Sequence, residues 1–294
     1  MSTIAQEIKQ SFKQGSVHTK LIYVNLAVFL AVNIVTVVMA MSGHRTGFSL
    51  LEILEAPSYI PHLISKPWTL VTYMFTHEDI FHILFNLLAL YWFGQIFLRF
   101  FSQKQLFSTY IWGGLAGVVL FLLAYNSLPL FAQMKYSSAL IGASASIMAI
   151  TFAAALYSPN YTIYLMFFGP VRLKYIALTY LILDLISIAG ANAGGHIAHL
   201  GGAFAGYLIA LSFKKNSSTN LGLGWAEGVF SIFSSQKTKM KVVHKRTMSD
   251  LEYNQNKVKR EKNINEILDK INKTGYESLT KEEREELFKM GNKN

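Results

Sequence analysis

Long apolar blocks fill the chain from Leu21 to Phe213, and hydrocarbon is the solvent that most narrows what such a sequence can become. A segment crossing about 30 Å of lipid must satisfy its own backbone N–H and C=O groups, which leaves helices or closed barrels. The run Leu21–Met41 is long enough for one helical crossing. Further crossings are expected at about His77–Phe97, Leu106–Ala124, Leu140–Tyr157, Val171–Ile188 and about Gly195–Phe213. Only 15% of residues are charged, against about 25% in a soluble domain. The expected fold is therefore all-α: a polytopic membrane protein built as a six-transmembrane-helix bundle.

The spans divide the chain into a leading segment 1–20, a membrane domain 21–213 and a basic tail 214–294. Residues 1–20 lack a signal-peptide pattern, and Ile4, Ile8 and Phe12 give them an amphipathic face suited to a membrane surface. The loop from Ser42 to about Trp68 has apolar patches (Phe48–Leu54 and Tyr59–Ile64) but no uninterrupted span. Tyr161–Phe168 is apolar but stops at Gly169-Pro170, and reads as a short interfacial segment. In the tail, Ile264–Lys273 and Lys281–Met290 carry helical patterns separated by Gly275, with Thr280 and Glu283 at capping-box spacing. That predicts a small helical hairpin over 264–290.

The net charge of +10 has a topological reading. Lys9, Lys13, Lys20, Arg99, Lys104, Arg172 and Lys174 fall on one side with the tail, and only Arg45, Lys66 and Lys135 on the other. Positive charge holds loops inside, so both termini are expected in the cytoplasm, the protein being multi-pass in the cell (inner) membrane. The lipid bilayer, and no nucleic acid, is the partner this charge implies. The sequence has no cysteine, which excludes thiolate nucleophiles and cysteine-held metals.

Ionisable groups inside spans are costly, so each demands a reason. The second span holds His77, His82 and Asn86, the fourth Ser144, the fifth Asp184, and the sixth His196 and His199. Spans two, four and six enter from the same face, and each carries its polar group within the first turns. Gly202 and Gly206 form a smooth stripe on the sixth span, and Gly142, Ala143 and Ala145 surround Ser144 with little bulk. If those faces pack, the Ser144 hydroxyl can reach the His199 imidazole, which would make serine a usable nucleophile. His82 and Asn86, one turn apart, can donate to a developing oxyanion, as can the Ser144 N–H in the first turn of its helix. No aspartate is required if helix packing orients the imidazole.

Three motifs now stand in order on alternating spans: His77-x4-His82-Ile-Leu-Phe-Asn86, Gly142-Ala-Ser144, and Ala198-His199-x2-Gly202-x3-Gly206. Over roughly Trp68–Leu211 this pattern resembles the rhomboid intramembrane serine proteases. The resemblance implies Ser144 as nucleophile, His199 as its base, and His82 and Asn86 as oxyanion stabilisers. It further implies single-span membrane proteins as substrates, with no cofactor. Ala145 stands where the family usually has Gly, Met148 where many members carry a Tyr stacked on the catalytic His, and Thr69 follows Trp68 where an Arg is common.

Blander readings accompany each residue. A lone helix serine usually bonds back to its own helix. His196 and His199 are not at i,i+4 spacing, and with no carboxylate or cysteine to complete a shell a metal site is not expected. His77-Glu78 fails the His-Glu-x2-His zinc pattern, because His82 comes one residue late. Asp184 belongs to none of the three motifs and reads as a structural, hydrogen-bonded or protonated group. The competing function classes are a catalytically inactive rhomboid-like protein that binds membrane clients, and a channel or transporter with a polar site between helices.

Overall fold

The computed structural model describes residues 3–42, 49–165, 169–190, 192–214 and 250–291. Arg45, Phe48, the end of the Tyr161–Phe168 stretch and the linker of the tail lie outside the described residues.

The chain forms an all-α polytopic membrane bundle. After α1 (Ile4–Gln14) come four helices long and apolar enough to cross a membrane: α2 (Val17–Met41), α6 (Ile80–Phe100), α7 (Gln103–Ser127) and α10 (Ala193–Lys214). A shorter apolar helix, α8 (Ser144–Tyr157), and the 15-residue α9 (Leu173–Ser187) stand where the fourth and fifth crossings are expected. Among the described residues between α2 and α6 lie the short helices α3 (Leu50–Leu54), α4 (Ile60–Ser65) and α5 (Thr69–Thr72). Exposed Ile34, Val38, Phe85, Trp92, Ile186 and Phe204 leave the outside of the bundle apolar, as a lipid-facing surface requires.

α8 is the hub. It packs against α6, α7, α9 and α10, and every residue from Ala145 to Ala155 is buried. Its 14 residues rise only roughly 21 Å, less than the hydrocarbon thickness. Small residues let its neighbours approach at backbone distance. A Cβ on Gly202 or Gly206 of α10 would strike the carbonyl oxygens of Ala145 and Ala149. On the other side, a Cβ on Gly117 of α7 would come 2.6 Å from the Ala145 methyl. The methyl of Ala145, extra by comparison with the usual glycine, thus occupies space that Gly117 leaves open.

Several expected boundaries move, for physical reasons. The second helix begins at Ile80, because the Asp79 carboxylate caps it by accepting from His82 N at 2.8 Å. His77 therefore lies in the turn before it. The fourth begins at Ser144, because Ala139–Leu140 (β2) pairs antiparallel with Ala56–Pro57 (β1) and Gly142 adopts φ +109°. The apolar stretch after Tyr161 is a strand: Thr162–Leu165 (β3) pairs with Gly169–Arg172 (β4) as a hairpin, and α9 starts only at Leu173.

A second compact unit spans Lys239–Asn294. In it α11 (Asp250–Thr274) begins well before the expected Ile264, ends at Gly275 with φ +80°, and is followed by α12 (Lys281–Gly291). Ile267 and Leu279 are buried here. The capping box forms, Thr280 N donating to Glu283 Oε2 at 2.7 Å and Glu283 N to Thr280 Oγ1 at 3.3 Å. Lys270 Nζ of α11 also donates to both Glu283 oxygens at 2.9 Å. The Lys270 bond first, and the Thr280 amide second, hold the Glu283 carboxyl below its ordinary value of 4.5. A depressed carboxyl contributes stability above its unfolded pKa and loses it as pH falls through the folded one. The protection factors of the first-turn amides of α12 against hydrogen exchange, corrected for the intrinsic slowing of exchange in acid, should therefore fall as pH drops below about 4.5. The full chain carrying Glu283→Gln should lack that step; a step of unchanged size in the variant assigns it elsewhere.

Candidate functional site

Ser144 is the first residue of α8, half-buried, at the end of a fixed approach. Gly142 N donates to Tyr73 O at 2.9 Å, and Ala143 N donates to His77 Nε2 at 3.4 Å. Tyr73 is anchored in turn by its hydroxyl, which donates to Gly114 O on α7 at 2.6 Å. The turn into Ser144 thus hangs from the segment before α6. As N1 of its helix, the Ser144 N–H has no acceptor one turn back within the helix. Gly142 is required here. A Cβ at that φ would be strained, and it would lie 2.7 Å from His82 Nε2 and 3.7 Å from Ser144 Oγ. The missing side chain leaves a space that both groups border.

Ser144 faces a cavity of about 310 Å³ whose lining includes Asn86 of α6, Met148 of α8, Tyr180 and Asp184 of α9 and His199 of α10. Of the four residues singled out from sequence, Ser144, Asn86 and His199 line this one cavity. His82 is not in its lining, but its Nε2 stands beside Gly142 and its ring meets His77 edge-on at 5.0 Å between centroids. Asn86 is buried; its Nδ2 donates to His82 O at 2.8 Å, and its Oδ1 has no partner among the described residues.

Asp184 is the residue that sequence reasoning undervalued. Its Oδ1 accepts from His199 Nδ1 and from His196 Nδ1, both at 2.8 Å. Its residue is only 5% exposed. Two earlier expectations change. Helix packing is not alone in orienting His199, because a carboxylate holds its far nitrogen. And the ground for dismissing metal, that no carboxylate joins His196 and His199, is overturned: one Asp184 oxygen touches both. The missed signal was depth. Asp184 sits about a turn before the end of α9, and His196 and His199 lie in the first two turns of α10, so successive helices bring them to one level.

Chemically, an alcohol, an imidazole whose Nδ1–H is engaged by a carboxylate, and an amide side chain border one cavity. With Nδ1 donating, the His199 Nε2 is left as the acceptor, the tautomer that can take a proton from a hydroxyl.

Comparison with known proteins adds lineage. A family model described as Rhomboid domain matches residues 65–216. A second, described as a family of unknown function (DUF6576), matches residues 248–292. Over 156 residues the chain is 32% identical to a protein of Arabidopsis thaliana described as RHOMBOID-like protein 12, mitochondrial, covering 50% of this chain and 46% of that protein. The chain thus matches about half the length of that relative.

Proposed function

Because the chain belongs to the rhomboid family, we propose that it is an intramembrane serine endopeptidase acting on single-span membrane proteins. The observation that carries this reading is the one cavity whose lining includes Ser144, Asn86 and His199, with Asp184 hydrogen-bonded to the imidazole.

In the proposed reaction Ser144 Oγ attacks the scissile carbonyl while His199 Nε2 takes its proton. Asp184 holds His199 in the Nδ1–H tautomer and is a positioning residue. The negative charge on the former carbonyl oxygen is met by the Ser144 N–H, Asn86 and His82. The His199 imidazolium then protonates the leaving amine, giving an acyl-enzyme. Water, deprotonated by His199 in the second half, releases the acid. The apolar cavity walls, Phe85, Phe93, Ile147 and Leu183 among them, favour an apolar segment of substrate. Charge distribution supports termini in the cytoplasm, and the proposed residence is the cell (inner) membrane.

A fluorophosphonate probe tests the reading: Ser144 should be labelled in the purified chain, and a model single-span substrate cut. Absence of both would favour the client-binding alternative. The oxyanion donors should behave in graded fashion. Asn86→Ala and His82→Ala should each cost about 10²–10³ in turnover of that substrate while preserving fold. Unchanged rates in both variants would require the oxyanion to be held by other donors.

A further inference from the structure

We infer that Asp184, His196 and His199 form a site for a divalent transition-metal cation of the zinc class, and that filling it switches off His199 as a base. The binding half of this inference stands on geometry alone; the inhibitory half rests on the protease reading above.

Three observations carry the site. The donor atoms of the three residues lie within 4.8 Å of one another. Both imidazoles turn Nδ1, not Nε2, toward the same carboxylate oxygen at 2.8 Å. And Asp184 is 5% exposed, yet its second oxygen, Oδ2, has no hydrogen-bond partner among the described residues. Two imidazole N–H groups satisfy Oδ1 without any metal. They leave Oδ2 buried and unpaired, which is costly for a carboxylate. A cation bound between the three groups neutralises the carboxylate and so lowers the cost of burying it, whichever oxygen it takes.

The donor set selects the cation. Two neutral imidazoles and a carboxylate suit zinc and its transition-metal neighbours, whereas magnesium and calcium prefer all-oxygen shells. Bonds of about 2.0–2.1 Å put tetrahedral donors about 3.3 Å apart. The Nδ1–Oδ1 pairs therefore open by roughly half an ångström, which side-chain rotation supplies. Water can take the fourth position, since the His196 and His199 side chains remain 24% and 20% exposed.

The consequence for His199 follows from its tautomers. In the free site Nδ1 carries the proton and Nε2 accepts. Metal on Nδ1 displaces that proton to Nε2, which then becomes a donor and cannot take the proton of Ser144. No bond is broken beyond N–H, and the imidazole stays neutral. Metal binding and general-base action are mutually exclusive on one ring.

Calorimetric titration of Zn²⁺ into the full chain in lipid nanodiscs should give one site. His196→Ala and Asp184→Asn should each weaken it by at least about tenfold, and excess Mg²⁺ or Ca²⁺ should not compete. Fluorophosphonate labelling of Ser144 should be intact with EDTA, blocked by Zn²⁺ and restored on chelation. In His196→Ala it should proceed with or without Zn²⁺. Zinc binding equal in wild type and both variants overturns the site. Labelling that EDTA abolishes and Zn²⁺ restores overturns the inhibitory role and makes the metal a cofactor. If Ser144 is never labelled under any condition, the protease reading fails, and the calorimetric comparison still decides the site.

Discussion

Ser144→Ala and His199→Ala should each reduce cleavage of a single-span substrate to the uncatalysed background. Where one member of a serine–histidine pair is removed, turnover falls by roughly 10⁶, because the two act as a unit. The double variant should for that reason be no worse than either single one. Folding is not expected to suffer at Ser144. It is a helix-starting position whose neighbours are held by backbone bonds to Tyr73 and His77, and alanine keeps those bonds. His199 is the more sensitive, since its removal leaves the buried Asp184 carboxylate with only its His196 bond. Monodispersity and thermal melting of both variants should accompany the assay. Turnover by purified, folded Ser144→Ala clearly above the background would defeat the nucleophile assignment.

Asp184→Asn is the second large effect. An amide in this position replaces one acceptor oxygen by an NH₂ donor, and when that NH₂ faces His199 it forces Nδ1 to become the acceptor. The proton then moves to Nε2 and the base is lost. In serine-protease triads this change lowers kcat by about 10⁴; with partial orientation from helix packing, a loss of about 10³–10⁴ is expected here. The loss should fall on kcat and leave KM nearly unchanged. Asp184→Glu, which keeps the acceptor, should recover part of it. A purely structural aspartate would instead lower melting temperature and leave kcat of the folded fraction intact, and that outcome would remove Asp184 from the mechanism.

Much of this arrangement could be read from residue pattern, because lipid imposes simple rules. Apolar length marked the four long helices and left α8 and α9 as shorter stretches, and the cost of burying polar groups singled out Ser144, His199, His82 and Asn86. Three of these do border one cavity. What escaped was set by tertiary contacts with no periodic signature. Ala139–Leu140 is extended because it finds Ala56–Pro57, more than 80 residues earlier in the chain. Thr162–Leu165 is a strand because Gly169 lets the chain fold back with φ +68°. Asp184 was visible as an oddity on α9, but its two histidine partners could be known only once α9 and α10 stood side by side. The tail helix α11 extends N-terminal of its apolar pattern through a polar stretch, where periodicity gives little signal.

The contact of α10 on α8 bears on how the molecule carries mechanical load. Gly202 and Gly206 meet the carbonyls of Ala145 and Ala149, so the spacing of the two helices is fixed by main chain against main chain. Side chains can change rotamer under stress; main-chain atoms in contact cannot yield in that way. Phe204, on the opposite side of α10, is 60% exposed and so takes the pressure of the surrounding acyl chains. The response expected of such a pair to a thicker or thinner bilayer is to tilt as one stiff beam, which would insulate the distance between residues 144 and 199 from the membrane in which the protein sits.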